Sequence, residues 1–401
     1  MRERISDRIR QIDPSQTAMM AKAALRLKEQ GRDIISLAVG EPGFPSPDVA
    51  KAAAKQAIDD NRTTYSPIAG ISELKEAIIA RYNRDYGLDY SLDEVCVTTG
   101  AKHSLYSILQ CVLDPEDEVI VFSPYWTSYP DMIKLCGAKT VIVPGDAEHG
   151  FQPNGVKLRA AVNAKTRAVI LNQPHNPTGM MYDESTLNVL AEIAREFKDL
   201  WLIADDIYDL LYWQQPPRCL IQNYPELSDR YIIANGVSKS YAMAGWRVGY
   251  VLGAADVIEA IVKFQSQTIT AASTISQCAA VAALQLKRED IKNQLACYRQ
   301  RTEFVYHRLK AISGIDCRLP EASFYLFCDI RALIDRCGFQ SDLAFALTLL
   351  EENGVAVMPG MSFGMPGFMR LSCAFDIPIL DEAIDRLALF VDRHVSQIPL
   401  Q

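Results

Sequence analysis

Short runs of consecutive apolar residues, rich in Val and Ile, recur along the middle of the chain. They alternate with longer stretches whose spacing is helical. The runs lie at residues 95–98, 119–122, 140–143, 168–171, 201–204, 231–234 and 248–251. Continuous apolar runs are typical of strands buried on both faces. Between them, apolar residues recur at helical spacing, as at Leu105, Ile108, Leu109 and Val112. The pattern predicts an α/β fold, with a large domain whose mainly parallel, seven-stranded sheet is covered by helices.

The pattern changes near residue 290. A long, charged, amphipathic segment follows, and then isolated strand patterns at residues 324–327, 355–358 and 369–372, which predict a smaller α+β domain. The first 47 residues contain a helical pattern at 17–30 and are too short to form a core alone. We therefore expect residues 1–47 to form an N-terminal arm and part of the small domain, 48–290 the large domain, and 291–401 the rest of the small domain.

Composition and charge argue against several classes of function. The 401 residues carry 41 Lys and Arg against 49 Asp and Glu, a net charge of −8, so the chain lacks the basic field typical of nucleic-acid binding. No apolar run approaches the roughly 20 residues of a membrane helix. The charged first eight residues do not resemble a signal peptide, which predicts a cytoplasmic protein. The ten cysteines and five histidines show no metal-site spacing, so no bound metal is expected.

Two candidate binding segments follow predicted strands. Gly100 and Ala101 lie between the strand at 95–98 and a helix, and a helix N-terminus offers free N–H groups to a phosphate. Glycine at such a turn also occurs for geometry alone. Asn176 lies in the loop after the strand at 168–171, where ligands collect in open α/β sheets. That loop is rich in turn residues, so the alternative is a turn that binds no ligand.

The next two predicted strands are also followed by reactive side chains. Asp205 ends an apolar run, and a carboxylate in such a dry region requires a cation; an exposed pair with Asp206 is the alternative. Tyr208 lies three residues on, so a carboxylate and a phenol could contact two positions of one ring-shaped ligand. Lys239 follows an apolar strand among small residues, and Arg247 comes eight residues later. Lysine condenses with carbonyls and the arginine fork suits phosphate, although both side chains could be structural.

One ligand requires all of these groups, and that ligand is pyridoxal 5′-phosphate. Its aldehyde needs a lysine, and its phosphate needs a helix terminus and an arginine. Its phenolic oxygen needs a hydrogen-bond donor, and its ring nitrogen needs a carboxylate that keeps it protonated. The order of the motifs along the chain therefore predicts a cofactor site at the ends of successive strands.

With these residues, the chain resembles the class I, fold-type I pyridoxal-phosphate-dependent aminotransferases, in the bacterial branch that contains aspartate aminotransferases. The resemblance covers nearly the whole chain and rests on the segments 34–42, 64–70, 123–126, 235–250 and 369–372. It implies that Lys239 is the Schiff-base lysine, that Asp205 binds the ring nitrogen, and that Asn176 and Tyr208 bind the phenolic oxygen. It further implies that Trp126 stacks on the ring. The phosphate ligands would be Gly100, Ala101, Ser238 and Arg247.

The resemblance also implies a homodimer with shared active sites, because Tyr65 matches a tyrosine that reaches the phosphate of the neighbouring subunit. Arg370 matches the arginine that holds the substrate α-carboxylate in a bidentate pair. The Gly40 backbone, Trp126 and Asn176 would complete the substrate site.

The implied activity is a ping-pong transfer of an amino group between an amino acid and a 2-oxo acid. Lys102 matches a contact to a distal carboxylate, which favours L-aspartate and 2-oxoglutarate giving oxaloacetate and L-glutamate. Prephenate, aromatic or other amino-acid aminotransferases and a pyridoxal-phosphate-dependent C–S lyase are the alternatives. The chain departs from the family pattern at Gln16, Gly43 and His175, where proline, aspartate and asparagine are common.

Overall fold

The computed structural model describes residues 4–14 and 16–396. Within these ranges the strands are, in chain order, β1 Ile35–Ser36, β2 Val95–Thr98, β3 Glu118–Ser123, β4 Lys139–Asp146, β5 Gln152–Pro153, β6 Thr166–Asn172, β7 Trp201–Asp205, β8 Tyr231–Gly236, β9 Gly249–Leu252, β10 Asp316–Cys317, β11 Tyr325–Asp329, β12 Val355–Ala356, β13 Met358–Pro359 and β14 Phe368–Ser372.

The α-helices of the same ranges alternate with these strands. They are α1 Asp7–Arg10, α2 Gln16–Glu29, α3 Asp48–Asp59, α4 Ser72–Tyr86, α5 Ala101–Val112, α6 Tyr129–Leu135, α7 Gly155–Ala161, α8 Glu184–Glu196, α9 Leu220–Asn223, α10 Ala255–Ser266, α11 Thr274–Leu284, α12 Lys292–Lys310, α13 Arg331–Cys337, α14 Asp342–Asn353 and α15 Ile377–Ser396. In this part of the chain, no helix is long and apolar enough to cross a membrane.

A large twisted sheet forms the centre of the molecule, with strand order β2-β9-β8-β7-β6-β3-β4-β5. Strands β4, β3, β6, β7 and β8 run parallel, whereas β9 is antiparallel to both of its neighbours. All seven predicted strands are present, and the α/β fold is confirmed. The prediction of seven strands misses an eighth, β5, which pairs with β4 over two residues at the sheet edge. Two residues are too few to produce an apolar run.

A second, smaller group of strands lies beside this sheet. Strands β10, β11, β14 and β13 form an antiparallel sheet, and β1 from the N-terminal segment pairs in parallel with β12. Met20 and Leu37 pack in the same apolar core as α12, α14 and α15, so both ends of the chain contribute to it. The predicted strand at 355–358 is broken, because β12 pairs with β1 whereas β13 pairs with β14. The domain boundaries given above stay predictions.

The parallel direction of β6, β7 and β8 brings the loops that follow them to one edge of the sheet. These loops begin after Asn172, Asp205 and Gly236. The small antiparallel sheet faces the same edge through β14, because Arg370 of β14 contacts Asn176 in the loop after β6. The fold thus creates a cleft between the large sheet and the small one.

Candidate active site

A cavity of about 500 Å³ occupies this cleft, and most of the predicted site residues line it. Eleven of the thirteen predicted residues are in its wall: Gly40, Ala101, Lys102, Trp126, Asn176, Asp205, Tyr208, Ser238, Lys239, Arg247 and Arg370. Gly100 lies directly before Ala101, at the N-cap of α5. Tyr65 lies outside the cavity, with 91% of its surface exposed.

Lys239 projects into the cavity from the loop that follows β8. Its Nζ donates a hydrogen bond to the carbonyl oxygen of Gly40 at 2.6 Å. Burial, together with the positive charge of Arg370, lowers the pKa of the Lys239 amine to about 8. A substantial fraction of this amine is therefore uncharged at mildly alkaline pH, which is the form that attacks carbonyl carbons.

Asp205 is the last residue of β7 and is almost completely buried. Its Oδ2 accepts a hydrogen bond from the Tyr129 hydroxyl at 2.6 Å. Its Oδ1 is buried and has no hydrogen-bond partner among residues 4–14 and 16–396. Burial raises the pKa of the Asp205 carboxyl to about 6, although the Tyr129 hydrogen bond, a hydrogen bond from the Ile207 backbone and the charge of Lys239 oppose this shift. A buried carboxylate with one open oxygen is suited to a charged N–H donor.

An anion-binding corner lies at the other end of the cavity, at the start of α5. Gly100 has a φ of 85°, and a Cβ at this position would collide with the Arg247 guanidinium. Arg247 itself has a φ of 55°, and its Nη1 donates to the carbonyl oxygen of Ala244 at 2.9 Å. This geometry leaves the guanidinium beside the N-terminal amides of α5, with Ser238 in the same wall. The corner combines a fixed cation with a helix N-terminus, as a phosphate requires.

Arg370, in the centre of β14, faces the cavity from the small sheet and is buried. Its Nη1 donates to Asn176 Oδ1 at 3.0 Å and its Nη2 to the carbonyl oxygen of Ala38 at 2.5 Å. The guanidinium carbon lies 4.5 Å from the ring centroid of Tyr325 and 5.0 Å from that of Phe363. Burial lowers the pKa of Arg370. Among residues 4–14 and 16–396, Arg370 donates to no carboxylate, so its guanidinium is available to the carboxylate of a ligand.

Lys102 and Trp126 form a third wall of the cavity. The Lys102 Nζ lies 4.9 Å from the Trp126 ring centroid. Burial, followed by the positive charge of Arg247, lowers the Lys102 pKa. The ammonium group therefore lies beside an aromatic face in the cavity wall, where an anionic ligand group would relieve its desolvation.

The three departures from the family pattern lie around the cavity and not in its wall. Gln16 lines a second cavity next to it. A side chain at Gly43 would collide with the carbonyl of Ala374, so the local backbone accepts only glycine. His175 is buried, with its Nδ1 2.8 Å from Thr178 Oγ1, and burial lowers its pKa to about 4. The imidazole is therefore neutral at physiological pH, and its contact with Thr178 stabilises the loop that follows β6.

Three residues in or next to the cavity were not predicted from the sequence. Asn172 ends β6, donates to the carbonyl oxygen of Asp205 at 2.8 Å and accepts from the Asn176 amide at 2.8 Å. Its position directly after an apolar strand is a signal that the sequence contained. Tyr129 and Tyr325 reach the site from α6 and β11. No local motif marks them, because their partners are distant in the sequence.

Comparison with known proteins identifies the family of the chain. The sequence model of the family described as aminotransferase class I and II matches residues 32–387. The chain belongs to this family and is an aminotransferase.

Its curated relatives include the aspartate aminotransferase of Bacillus subtilis, 38% identical over 98% of this chain and 100% of the relative. The aspartate/prephenate aminotransferase of Cereibacter sphaeroides is 40% identical over 96% of this chain and 98% of the relative. Among solved structures, the aspartate aminotransferase of Rhizobium meliloti superposes with a TM-score of 0.92 at 37% identity, covering 98% of this chain and 100% of that one. That of Thermus thermophilus with maleate has a TM-score of 0.91 at 36% identity, covering 97% and 100%.

Proposed function

We propose that the chain is an aspartate aminotransferase that uses pyridoxal 5′-phosphate. One observation carries the proposal: a single cavity contains the Lys239 amine, the open oxygen of Asp205 and the corner formed by Gly100 and Arg247. These groups fit an aldehyde, a protonated ring nitrogen and a phosphate, respectively. The cofactor, when bound, supplies an electron sink that withdraws charge from the substrate α-carbon.

The residues of the chain have separate tasks in this proposal. Lys239 would hold the cofactor covalently, and its free amine would move the proton to and from the substrate α-carbon. Asp205 would keep the ring nitrogen protonated, because one oxygen of its buried carboxylate is open to an N–H donor. Arg370 orients the substrate through its α-carboxylate, and the Trp126 ring closes one side of the cavity.

In this proposal, Lys102 makes the enzyme specific for dicarboxylic substrates. Its ammonium group lines the same cavity as the Arg370 guanidinium, so the two cations can hold the two carboxylates of aspartate or 2-oxoglutarate. The names of the relatives support this reading, as does maleate, a dicarboxylate, in the Thermus thermophilus structure. Prephenate is a second candidate substrate, because several relatives at 37–40% identity are named aspartate/prephenate aminotransferases.

The exposure of Tyr65 supports a homodimer with shared sites. The side chain of Tyr65 is 91% exposed, so it is accessible to a neighbouring subunit. In the proposed dimer, Tyr65 reaches the phosphate corner of the neighbouring subunit. Sedimentation of the holoenzyme tests this, with a dimer as the expected result and a monomer as the contradicting one.

The main experiment is a transamination screen of the purified holoenzyme against amino acids and 2-oxo acids, with and without Lys239→Ala. We expect the wild type to convert aspartate and 2-oxoglutarate to oxaloacetate and glutamate, and to give a borohydride-trapped cofactor adduct. Lys239→Ala removes both. Retention of the adduct in the variant would contradict the assignment of Lys239. Pyruvate and ammonia formed from a sulfur amino acid, without glutamate formation, would favour a C–S lyase.

Specificity is tested with Lys102→Ala, using Lys134→Ala as the matched control. Lys134→Ala removes the same charge nearby, but Lys134 lines only the second cavity, whereas Lys102 lines both, and the Lys134 Nζ donates to the carbonyl of Gln11. We expect Lys102→Ala to raise the KM for aspartate by about tenfold or more, as expected for a lost charge-assisted hydrogen bond. The KM for alanine should change little. Equal effects on both substrates would contradict the distal-carboxylate role.

A further inference from the structure

Tyr325 contacts three parts of the cavity. It is the first residue of β11, and its side chain is buried. Its ring lies 4.5 Å from the Arg370 guanidinium carbon, and its hydroxyl oxygen lies 2.9 Å from that of Tyr208. The same hydroxyl is 3.5 Å from the carbonyl oxygen of Gly40. Tyr325 therefore links the arginine of the small sheet to the tyrosine of the large one.

The hydrogen bonds around Tyr208 decide which way its proton points. The carbonyl oxygen of Gly40 lies 3.5 Å from the Tyr325 hydroxyl oxygen, at the limit of a hydrogen bond, whereas the Tyr208 hydroxyl oxygen lies at 2.9 Å and is the better acceptor. A hydroxyl carries one proton only. When an anionic oxygen faces Tyr208 in the cavity, Tyr208 can donate to it only if Tyr325 donates to Tyr208 and not the reverse.

We propose that Tyr325 is a positioning residue with two separable roles. Its hydroxyl donates to Tyr208 and so directs the Tyr208 proton to the phenolic oxygen of the cofactor. Its ring packs against Arg370 and holds the guanidinium in position for the α-carboxylate. The inference rests on the proposed function, because it presumes the cofactor in this cavity.

The hydroxyl role has a spectroscopic consequence. Besides Tyr325, the polar and charged groups that surround Tyr208 are Asn176, Arg370 and Asp205, and all of them remain when the Tyr325 hydroxyl is removed. Without this donor, Tyr208 becomes a weaker donor itself, since hydrogen bonds in a chain strengthen one another. More negative charge then stays on the phenolic oxygen, which favours the protonated form of the lysine-linked nitrogen beside it. The visible absorbance of the holoenzyme should therefore titrate at higher pH.

The test compares Tyr325→Phe with Tyr325→Leu in the holoenzyme. For Tyr325→Phe we expect the absorbance midpoint to rise by about half a pH unit and kcat to fall by about threefold to tenfold, as for one lost neutral hydrogen bond. The KM for aspartate should stay within about twofold, because the ring remains. For Tyr325→Leu we expect the KM values of aspartate and alanine to rise together, by about tenfold, because both substrates carry the α-carboxylate.

Tyr241→Phe is the matched control. Its hydroxyl is also buried, lies on the same chain segment as Lys239 and has no hydrogen-bond partner in the described part of the chain. Removal of this hydroxyl should leave the absorbance midpoint and kcat at the wild-type values. This control separates loss of the Tyr325 hydrogen bond from loss of a buried hydroxyl as such.

A wild-type midpoint and wild-type kcat in Tyr325→Phe would overturn the hydroxyl role. An unchanged KM in Tyr325→Leu would overturn the ring role, and if this variant fails to fold, Tyr325→Phe still decides the first role. Failure of the proposed function has a different signature. In that case the wild-type protein itself would show no visible cofactor absorbance and no transamination.

Discussion

Two buried aspartates, four residues apart in the sequence, have opposite surroundings. Asp209 accepts hydrogen bonds from Arg81, from the Tyr86 hydroxyl at 3.1 Å, from Asn235 at 3.0 Å and from the Ser240 hydroxyl at 3.1 Å. The pair that it forms with Arg81 is fully buried. Its charge is therefore neutralised by a cation, and both of its oxygens accept hydrogen bonds, three at Oδ2 and one at Oδ1.

Asp205 is as deeply buried but is not satisfied. Tyr129 occupies one of its oxygens, and Oδ1 has no partner in the ranges that the structure describes. Burial of an open carboxylate oxygen costs free energy, so a fold retains one only where something else compensates. The comparison teaches that the satisfied aspartate supports the scaffold and the unsatisfied one marks the ligand site.

Replacement of Asp205 gives the largest effect that this comparison predicts. In Asp205→Ala the ring nitrogen loses its anion, and we expect kcat to fall by about a thousandfold or more, within the range of a lost electrostatic partner in a dry site. The thermal midpoint of the apoprotein should change little, because loss of the Tyr129 hydrogen bond is offset by removal of a buried, open carboxylate oxygen. Activity assays measure kcat, and thermal unfolding measures the stability of the apoprotein. A large loss of apoprotein stability with retained kcat would reverse the assigned roles.

Replacement of Arg81 should have the opposite profile. Arg81→Met leaves the Asp209 carboxylate buried without its cation, which costs about 3–5 kcal/mol of unfolding free energy. Arg62→Met is the matched control, because the Arg62–Glu73 pair is exposed and such pairs contribute about 0–1 kcal/mol. Urea unfolding measures both variants. Equal, small losses of unfolding free energy in the two variants would show that the buried pair does not stabilise the fold.

The pH dependence of apoprotein stability sharpens the comparison further. The Asp205 pKa rises from its ordinary value of 3.8 to about 6 on folding. The native state therefore holds a proton that the unfolded state has lost between these values, and stability falls as the pH rises from about 4 to about 6. We expect the wild type to lose about 2–3 kcal/mol relative to Asp205→Asn across this window. Parallel curves for the two proteins would contradict the raised pKa.

The smallest effect concerns the link between Asp209 and the lysine loop. Ser240, next to Lys239, and Tyr86, on α4, each donate one hydrogen bond to Asp209 at 3.1 Å. Ser240→Ala and Tyr86→Phe should each cost about 1 kcal/mol of stability. Only Ser240→Ala should also lower kcat, by a few-fold, because it frees the lysine loop. A similar kcat loss in Tyr86→Phe would show that the coupling is not specific to the loop.

The sequence is most informative where a functional residue directly follows a strongly apolar strand. Asp205, Asn176 and Lys239 follow strongly apolar runs, so their places at one sheet edge follow from the parallel order of the strands. The seven longer strands of the large sheet were predictable for the same reason. The two-residue strand β5 and the break between β12 and β13 were not, because such short pieces carry no periodic pattern.

Contacts between distant elements lie beyond the reach of local patterns. The sequence places Asp205 at the end of an apolar strand, but it does not show that Asp209 is buried and paired, since the donors to Asp209 come from α4, from β8 and from the loop after β8. The roles of Tyr129 and Tyr325 likewise depend on packing between α6, β11 and the large sheet. Tertiary structure alone identifies these partners.

A crystal structure of the chain with pyridoxal 5′-phosphate tests the central claim most directly. We predict that Asp205 Oδ1, the oxygen left open in the apoprotein, lies about 2.7–2.9 Å from the ring nitrogen of the cofactor, the length of a charge-assisted hydrogen bond. Lys239 should be joined to the cofactor, whose phosphate should lie between Gly100 and Arg247. A cofactor bound elsewhere, or a ring nitrogen that faces a neutral group while Asp205 Oδ1 stays open, would contradict the account.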